Sequence, residues 1–197
     1  MSHDNETAVC TLASIILPSF VTAHGGFDFH RLQDVVKVAV QNLNRVLDVT
    51  IYPTKESSLS NERHRAIGVG VQGLADLFIA LRIPFESKQA RDLNVSIAES
   101  IYYAALESSS DLAAEQGVYK SYFDSPISHG IFQFDLWGIT PSRSFLDWET
   151  LRIKIRKTGL RNSLLVAYMP TAGTSQITGC SEGIEPITRC ANTADAY

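Results

Sequence analysis

The stretch RNSLLVAYMPTAGTSQITG, Arg161 to Gly179, combines residue types and spacing suited to holding an anion. Leu164, Leu165, Val166, Ala167 and Tyr168 form a continuous apolar run, as expected of a strand covered on both faces in a parallel sheet. Pro170 has no N–H to donate and would stop the ladder. From Thr171 through Ala172, Gly173 and Thr174 to Ser175 every residue is small or hydroxylated, so a phosphate can approach the main chain. The helix expected to follow would add unpaired amides and a positive dipole end. On the residues alone, the same pattern also reads as an ordinary cap and turn.

Other candidate chemistry is weaker. GVGVQG, Gly68 to Gly73, matches the dinucleotide fingerprint, but that fingerprint needs a strand before it and an acidic residue about twenty positions on. What precedes it is SNERHRAI, charged and polar, so the expectation is closely packed backbone at the start of a helix and no bound cofactor. None of the five histidines stands at a zinc-like interval from a cysteine. There is no Gly-x-Ser-x-Gly elbow to anchor a hydrolase. Glu182 and Glu185 flank the loop and helix and have the chemistry of an acid or base, although surface glutamates are common. Cys10 lies within the apolar run AVCTLASIIL and by itself reads as a buried core cysteine. A redox role would need a partner thiol, and Cys180 and Cys190 lie at the far end of the chain.

These groups sit on a chain of 197 residues, 45% hydrophobic, enough for one core or a large part of one. The net charge of −4 and the absence of a basic cluster beyond Arg152, Lys154, Arg156 and Lys157 argue against nucleic acid as a partner. That basic run reads as the cationic last turn of a helix. No apolar run approaches the ~18 residues of a membrane span, and the N-terminus MSHDNETAVC is unlike a secretory leader. Three widely spaced cysteines suit a reducing compartment, so a cytoplasmic location is expected.

The elements that would carry these residues follow from periodicity. Residues 8–17 read as a strand. Phe29 to Leu47 is an amphipathic helix, with Leu32, Val35, Val36, Ala39, Val40, Leu43, Val46 and Leu47 on its stripe and Asp28 as N-cap. Residues 52–62 read as a connection, 71–82 as a second helix, and Ser87 to Gln116 as a long third helix stopped by Gly117. Residues 118–146 form an aromatic loop region far longer than the ~4–6 residues of a median connection. A fourth helix, Asp147 to Thr158, ends at Gly159. The order describes part of an α/β architecture in which helices outnumber strands.

AVCTLAS, VQNLNRVLDV, SNERHRAIGVGVQGLADLF, ESIYYAALE, DLAAEQG, RNSLLVAYMPTAGTSQITG and EGIEP occur in this order, and together they closely resemble the large, catalytic subunit of class I ribonucleotide reductase. The similarity runs from about Ala8 to Pro186. It implies an incomplete portion of a ten-stranded α/β barrel over residues 1–186, with 187–197 as a divergent tail. The implied activity is radical reduction of ribonucleoside diphosphates to deoxyribonucleotides. Cys10 matches one half of the reducing dithiol. Thr171, Ala172, Gly173 and Thr174, with Pro170 and Ser175 at the edges, match the loop that binds the substrate diphosphate. Gly173 stands where relatives usually carry a hydroxyl residue.

The resemblance further implies a radical supplied by a metal-containing small subunit, electrons from thioredoxin or glutaredoxin, and ATP or dNTP effectors bound in a more N-terminal part. The radical-cysteine loop and the partner of Cys10 would lie before residue 1, and the radical-relay tyrosines and C-terminal redox cysteines after residue 197. The expectation is therefore an internal piece of the enzyme, inactive by itself, whose partners are the remaining segments and the small subunit. The alternatives are a truncated or split-gene product that acts only by assembly, and a small phosphate-binding α/β module.

Overall fold

The computed structural model describes residues 5–142 and 146–187. Two strands, β1 (Leu12–Ile16) and β2 (Gly68–Gln72), pair in parallel with Leu12 opposite Gly68 and Ile16 opposite Gln72. Parallel pairing requires a long crossover. Here it consists of a 3₁₀ turn at Leu17–Phe20 and two helices, α1 (Phe29–Val49) and α2 (Lys55–His64). A short helix α3 (Leu74–Ala80) follows β2 directly, and the long helix α4 (Lys88–Gln116) lies along α1. After a stretch of 3₁₀ turns and the single-turn helix α5 (Gln133–Leu136), helix α6 (Trp148–Thr158) packs on α4. Helix α7 (Ala172–Thr178) closes the described order.

The core forms where the apolar stripes meet. Leu32, Val36, Val40, Leu43 and Leu47 of α1 face Ile97, Ile101, Ala104 and Ala105 of α4, with Val69 and Val71 of β2 and Leu151 and Ile155 of α6 closing the cluster. Helix starts are fixed by side chains: Asp28 accepts from Arg31 N, Ser87 from Ala90 N and Asp147 from Thr150 N. Each such cap is worth about 1 kcal/mol.

The α/β class and the predominance of helices are observed. Among the described residues the sheet is small and open, and the barrel is not closed. Several expected elements differ. The strand at 8–17 shortens to β1 because Pro18 enters a 3₁₀ turn. Most of the expected connection at 52–62 is helix α2, which runs on to His64 and whose start is fixed by Thr54 and Ser57 in a capping box despite a polar composition. GVGVQG forms β2 rather than the start of a helix, and α3 begins only after Gly73. The run 164–168 is not a strand covered on both faces. It makes one parallel bridge, Val166 to Val69, and leaves Leu164 and Tyr168 52% and 47% exposed. The expected tail 187–197 falls, apart from Ile187, outside the described residues, as does Cys190.

Candidate functional site

Asn162 anchors the start of the candidate anion segment. It is fully buried and exchanges amide hydrogen bonds with Asn44 of α1, while its backbone N–H reaches Ser109 Oγ of α4 at 3.1 Å. The extended segment then runs beside β2: Ile67 N donates to Leu164 O, Val69 N to Leu165 O and Ala167 N to Val69 O. A Cβ on Gly70 would collide with Ala167 O and Met169 Sδ, so the close approach of this segment requires glycine there.

Helix α7 starts earlier than expected, so most of the small-residue loop is its first turn. Thr171 is the N-cap residue, and Ala172, Gly173 and Thr174 occupy the first three helical positions. Their amides precede the first helical bond, from Ser175 N to Thr171 O at 2.8 Å. Ala172, Gly173 and Thr174 are exposed, Thr171 and Ser175 are buried, and Pro170 lies exposed before the cap. The Thr171 hydroxyl accepts from Gly183 N at 2.9 Å, which ties the cap to the chain after the helix. Thr174 Oγ1 carries a single hydrogen and has two acceptors in reach, Gln72 Oε1 at 2.9 Å and Thr171 O at 3.2 Å, so the hydroxyl is engaged within the protein. A Cβ on Gly173 would meet nothing within 4 Å.

Cys10 is exposed and precedes β1, which overturns the reading of it as a core cysteine. The chain ahead of it is held instead by Glu6. Glu6 Oε1 accepts from Arg63 Nη1 at 2.6 Å and Oε2 from His64 Nε2 at 2.8 Å, with only 5% of the Glu6 side chain exposed. The other ring nitrogen of His64 lies 2.7 Å from Ser121 Oγ. The Arg63 hydrogen bond, aided by His64, outweighs burial and holds the Glu6 carboxyl below the usual glutamate range. Sequence reasoning missed this clamp, because Arg63 lies 57 positions from Glu6 and no local pattern links them.

Cys10 and the small-residue loop are not adjacent. Thr174 rests on Gln72, which is level with Ile16, whereas Cys10 precedes Leu12 at the other end of β1. At ~3.3 Å per strand residue, the two sites are at most roughly 20 Å apart along the strand direction. Glu182 and Glu185 are exposed after α7. A cavity of about 1080 Å³ is lined by aromatic and apolar groups including Tyr102, Trp137, Trp148 and Tyr168. It borders Ser163 to Tyr168 but neither Cys10 nor Pro170 to Ser175. Among the described residues no group of three His, Cys, Asp or Glu is placed to hold a metal ion, and no helix is long and apolar enough to cross a membrane.

The family described as "Ribonucleotide reductase, barrel domain" matches residues 1–194. The chain is 56% identical over 184 residues to the ribonucleoside-diphosphate reductase large subunit of Danio rerio, covering 93% of this chain and 23% of that protein. It is 56% identical over 187 residues to the large subunit of Caenorhabditis elegans, covering 95% of this chain and 24% of that one. The Schizosaccharomyces pombe large chain is 54% identical over 187 residues, again 95% of this chain and 23% of that protein. The chain therefore spans about a quarter of the length of the curated relatives it matches.

Proposed function

Because this chain belongs to the ribonucleotide reductase barrel-domain family, we propose that it supplies the substrate-diphosphate loop and one thiol of the reducing pair to a ribonucleoside-diphosphate reductase large subunit. The family match over almost the whole chain, with relatives named as such large subunits, carries this reading. The amides of Ala172, Gly173 and Thr174 would donate to the diphosphate, with Pro170, Thr171 and Ser175 shaping the turn. Bulk at Ala172 would block that approach, since the residue is exposed at the mouth of the turn. The ribose would lie toward Cys10, along the strand direction that separates the two sites.

After radical abstraction at the 3′ carbon, Cys10 and a second thiol of the large subunit would reduce the 2′ position. The two thiols give up two electrons and two hydrogens and form a disulfide, the 2′-hydroxyl leaves as water, and a hydrogen takes its place. A small subunit that supplies the radical, thioredoxin or glutaredoxin as electron source, and ATP or dNTP effectors belong to this proposal as partners of the whole enzyme. A polypeptide of these 197 residues alone would not turn over.

The test uses a full-length large subunit carrying this segment, assayed with its small subunit and thioredoxin. Cys10→Ser should abolish sustained CDP reduction, and Ala172→Trp should raise the KM for CDP. Undiminished multiple turnover by Cys10→Ser would refute the thiol assignment. An unchanged KM in Ala172→Trp would refute the loop assignment.

A further inference from the structure

We infer that Gln72, the fifth residue of the GVGVQG motif, positions the diphosphate loop by fixing helix α7 about its own axis. The inference rests on the loop assignment above and adds to it a residue with no role in that reading. Gln72 is 2% exposed, although it carries an amide that must be hydrogen-bonded when buried. It meets this requirement entirely on α7: Oε1 accepts from Thr174 Oγ1 at 2.9 Å, and Nε2 donates to Thr178 Oγ1 at 2.9 Å.

Thr174 and Thr178 are one helical turn apart, so they stand on the same face of α7. A single planar amide that grips both hydroxyls sets which face of the helix turns toward the sheet. It therefore also sets where the exposed amides of Ala172, Gly173 and Thr174 point. Thr178 passes the constraint on to the helix backbone, since its hydroxyl donates to Thr174 O at 2.9 Å.

The chain next to Gln72 grips the segment after α7 in the same way. Gly73 N donates to Ser181 O at 2.9 Å, and Asp76 Oδ2 accepts from Ser181 N at 2.5 Å. Ser181 leads on to Gly183, whose N–H bonds the Thr171 cap at 2.9 Å. Gln72 is thus part of a rear wall that holds both ends of the turn. It is a positioning residue, since it acts through Thr174 and Thr178.

The experiment compares Gln72→Leu, Thr174→Val, the double variant and Thr178→Val in a full-length large subunit, measuring KM and kcat for CDP with the small subunit present. Gln72→Leu should raise KM about tenfold, the loss of roughly one buried hydrogen bond, with kcat within about twofold. Loss of folding alone would lower the active fraction and leave KM unchanged. Thr178→Val, on the exposed side of the contact, should raise KM about threefold and covers the case in which Gln72→Leu does not fold. Adding Thr174→Val to Gln72→Leu should raise KM by less than the product of the single effects.

KM unchanged in both Gln72→Leu and Thr178→Val, or in Thr178→Val alone where Gln72→Leu does not fold, overturns the inference if Ala172→Trp still raises KM. If Ala172→Trp also leaves KM unchanged, the loop assignment itself has failed. Multiplicative effects of Gln72→Leu and Thr174→Val would likewise overturn a route through Thr174.

Discussion

Asn44 and Asn162 lie 118 positions apart in sequence and face each other as a buried amide pair, with hydrogen bonds of 3.1 and 2.9 Å running in opposite directions. Each amide has further partners. Asn44 Nδ2 donates to Val40 O, Asn162 Nδ2 donates to Arg65 O, and Ser109 Oγ donates to Asn162 Oδ1. Helix α1, helix α4, the end of α2 and the start of the 162–170 segment thus meet at one polar knot inside an apolar cluster.

Replacing one member leaves the other buried without its partner, which costs about 1–3 kcal/mol, whereas removing both relieves that penalty. Asn44→Ala and Asn162→Ala in a full-length large subunit should each lower the melting temperature of the transition that includes this segment. The double variant should lose less than the sum of the two. Additive losses would show that the pair is not coupled.

Gly173 offers a gain of function. Its position is open, with nothing within 4 Å of an added Cβ, and it does not adopt a left-handed backbone. Gly173→Ser would therefore fit without strain and add a hydroxyl beside the proposed phosphate site. A hydrogen bond to a charged group contributes about 1.5–3 kcal/mol at best. The expected outcome is a three- to tenfold lower KM for CDP, and an unchanged or higher KM would count against the mapping of the loop.

Gly70 should behave in the opposite way. A Cβ there would sit 2.6 Å from Met169 Sδ and collide with Ala167 O, beside the bond from Ala167 N to Val69 O that holds this segment to β2. Gly70→Ala should destabilise the fold by about 1–3 kcal/mol or more, whereas Gly173→Ala should leave the melting temperature unchanged or slightly raised. Equal melting temperatures for the two would contradict the close approach of the 164–169 segment to β2.

The clamp on Glu6 predicts a pH dependence of stability. The folded carboxyl is held below its ordinary value of 4.5, chiefly by Arg63, so between the two values the folded state binds fewer protons than the unfolded state. Its stabilisation is complete above about 4.5 and is lost as the pH falls through the lower, folded value. Glu6→Gln should be less stable than the parent near neutral pH, and the gap should close on acidification. A gap that stays constant down to pH ~3 would rule out the ion pairs as its source.

Much of the scaffold was legible because its signals are local. Asp28 acts as the N-cap its position suggested, and Gly117 and Gly159 end their helices at positive φ. Of the α1 stripe read from the period of 3.6, Leu32, Val36, Val40, Leu43 and Leu47 are buried, whereas Val35 and Val46 are exposed. The GVGVQG motif shows where local reading stopped. Close backbone packing was the right reason for the glycines, but the element is a strand. Val69 and Val71 lie in the core, while Gly68 and Gly70 meet the chain from Leu165 to Met169. Which chain presses on a glycine cannot be read from the glycine.

By itself the sequence determined the starts of α1, α4 and α6, the ends of α4 and α6, the small-residue turn at Thr171 to Ser175 and the family, because each depends on residues close in the chain or on motifs in order. The tertiary structure decided what depends on residues brought together from a distance. It placed Cys10 at the surface ahead of β1 and made Thr174 a strut against Gln72, 102 positions away. It also turned Glu6 into the partner of Arg63 and His64. The physical reason is that a side chain's hydrogen-bonding capacity is fixed by its type, whereas the group that satisfies it is chosen only when the chain folds back on itself.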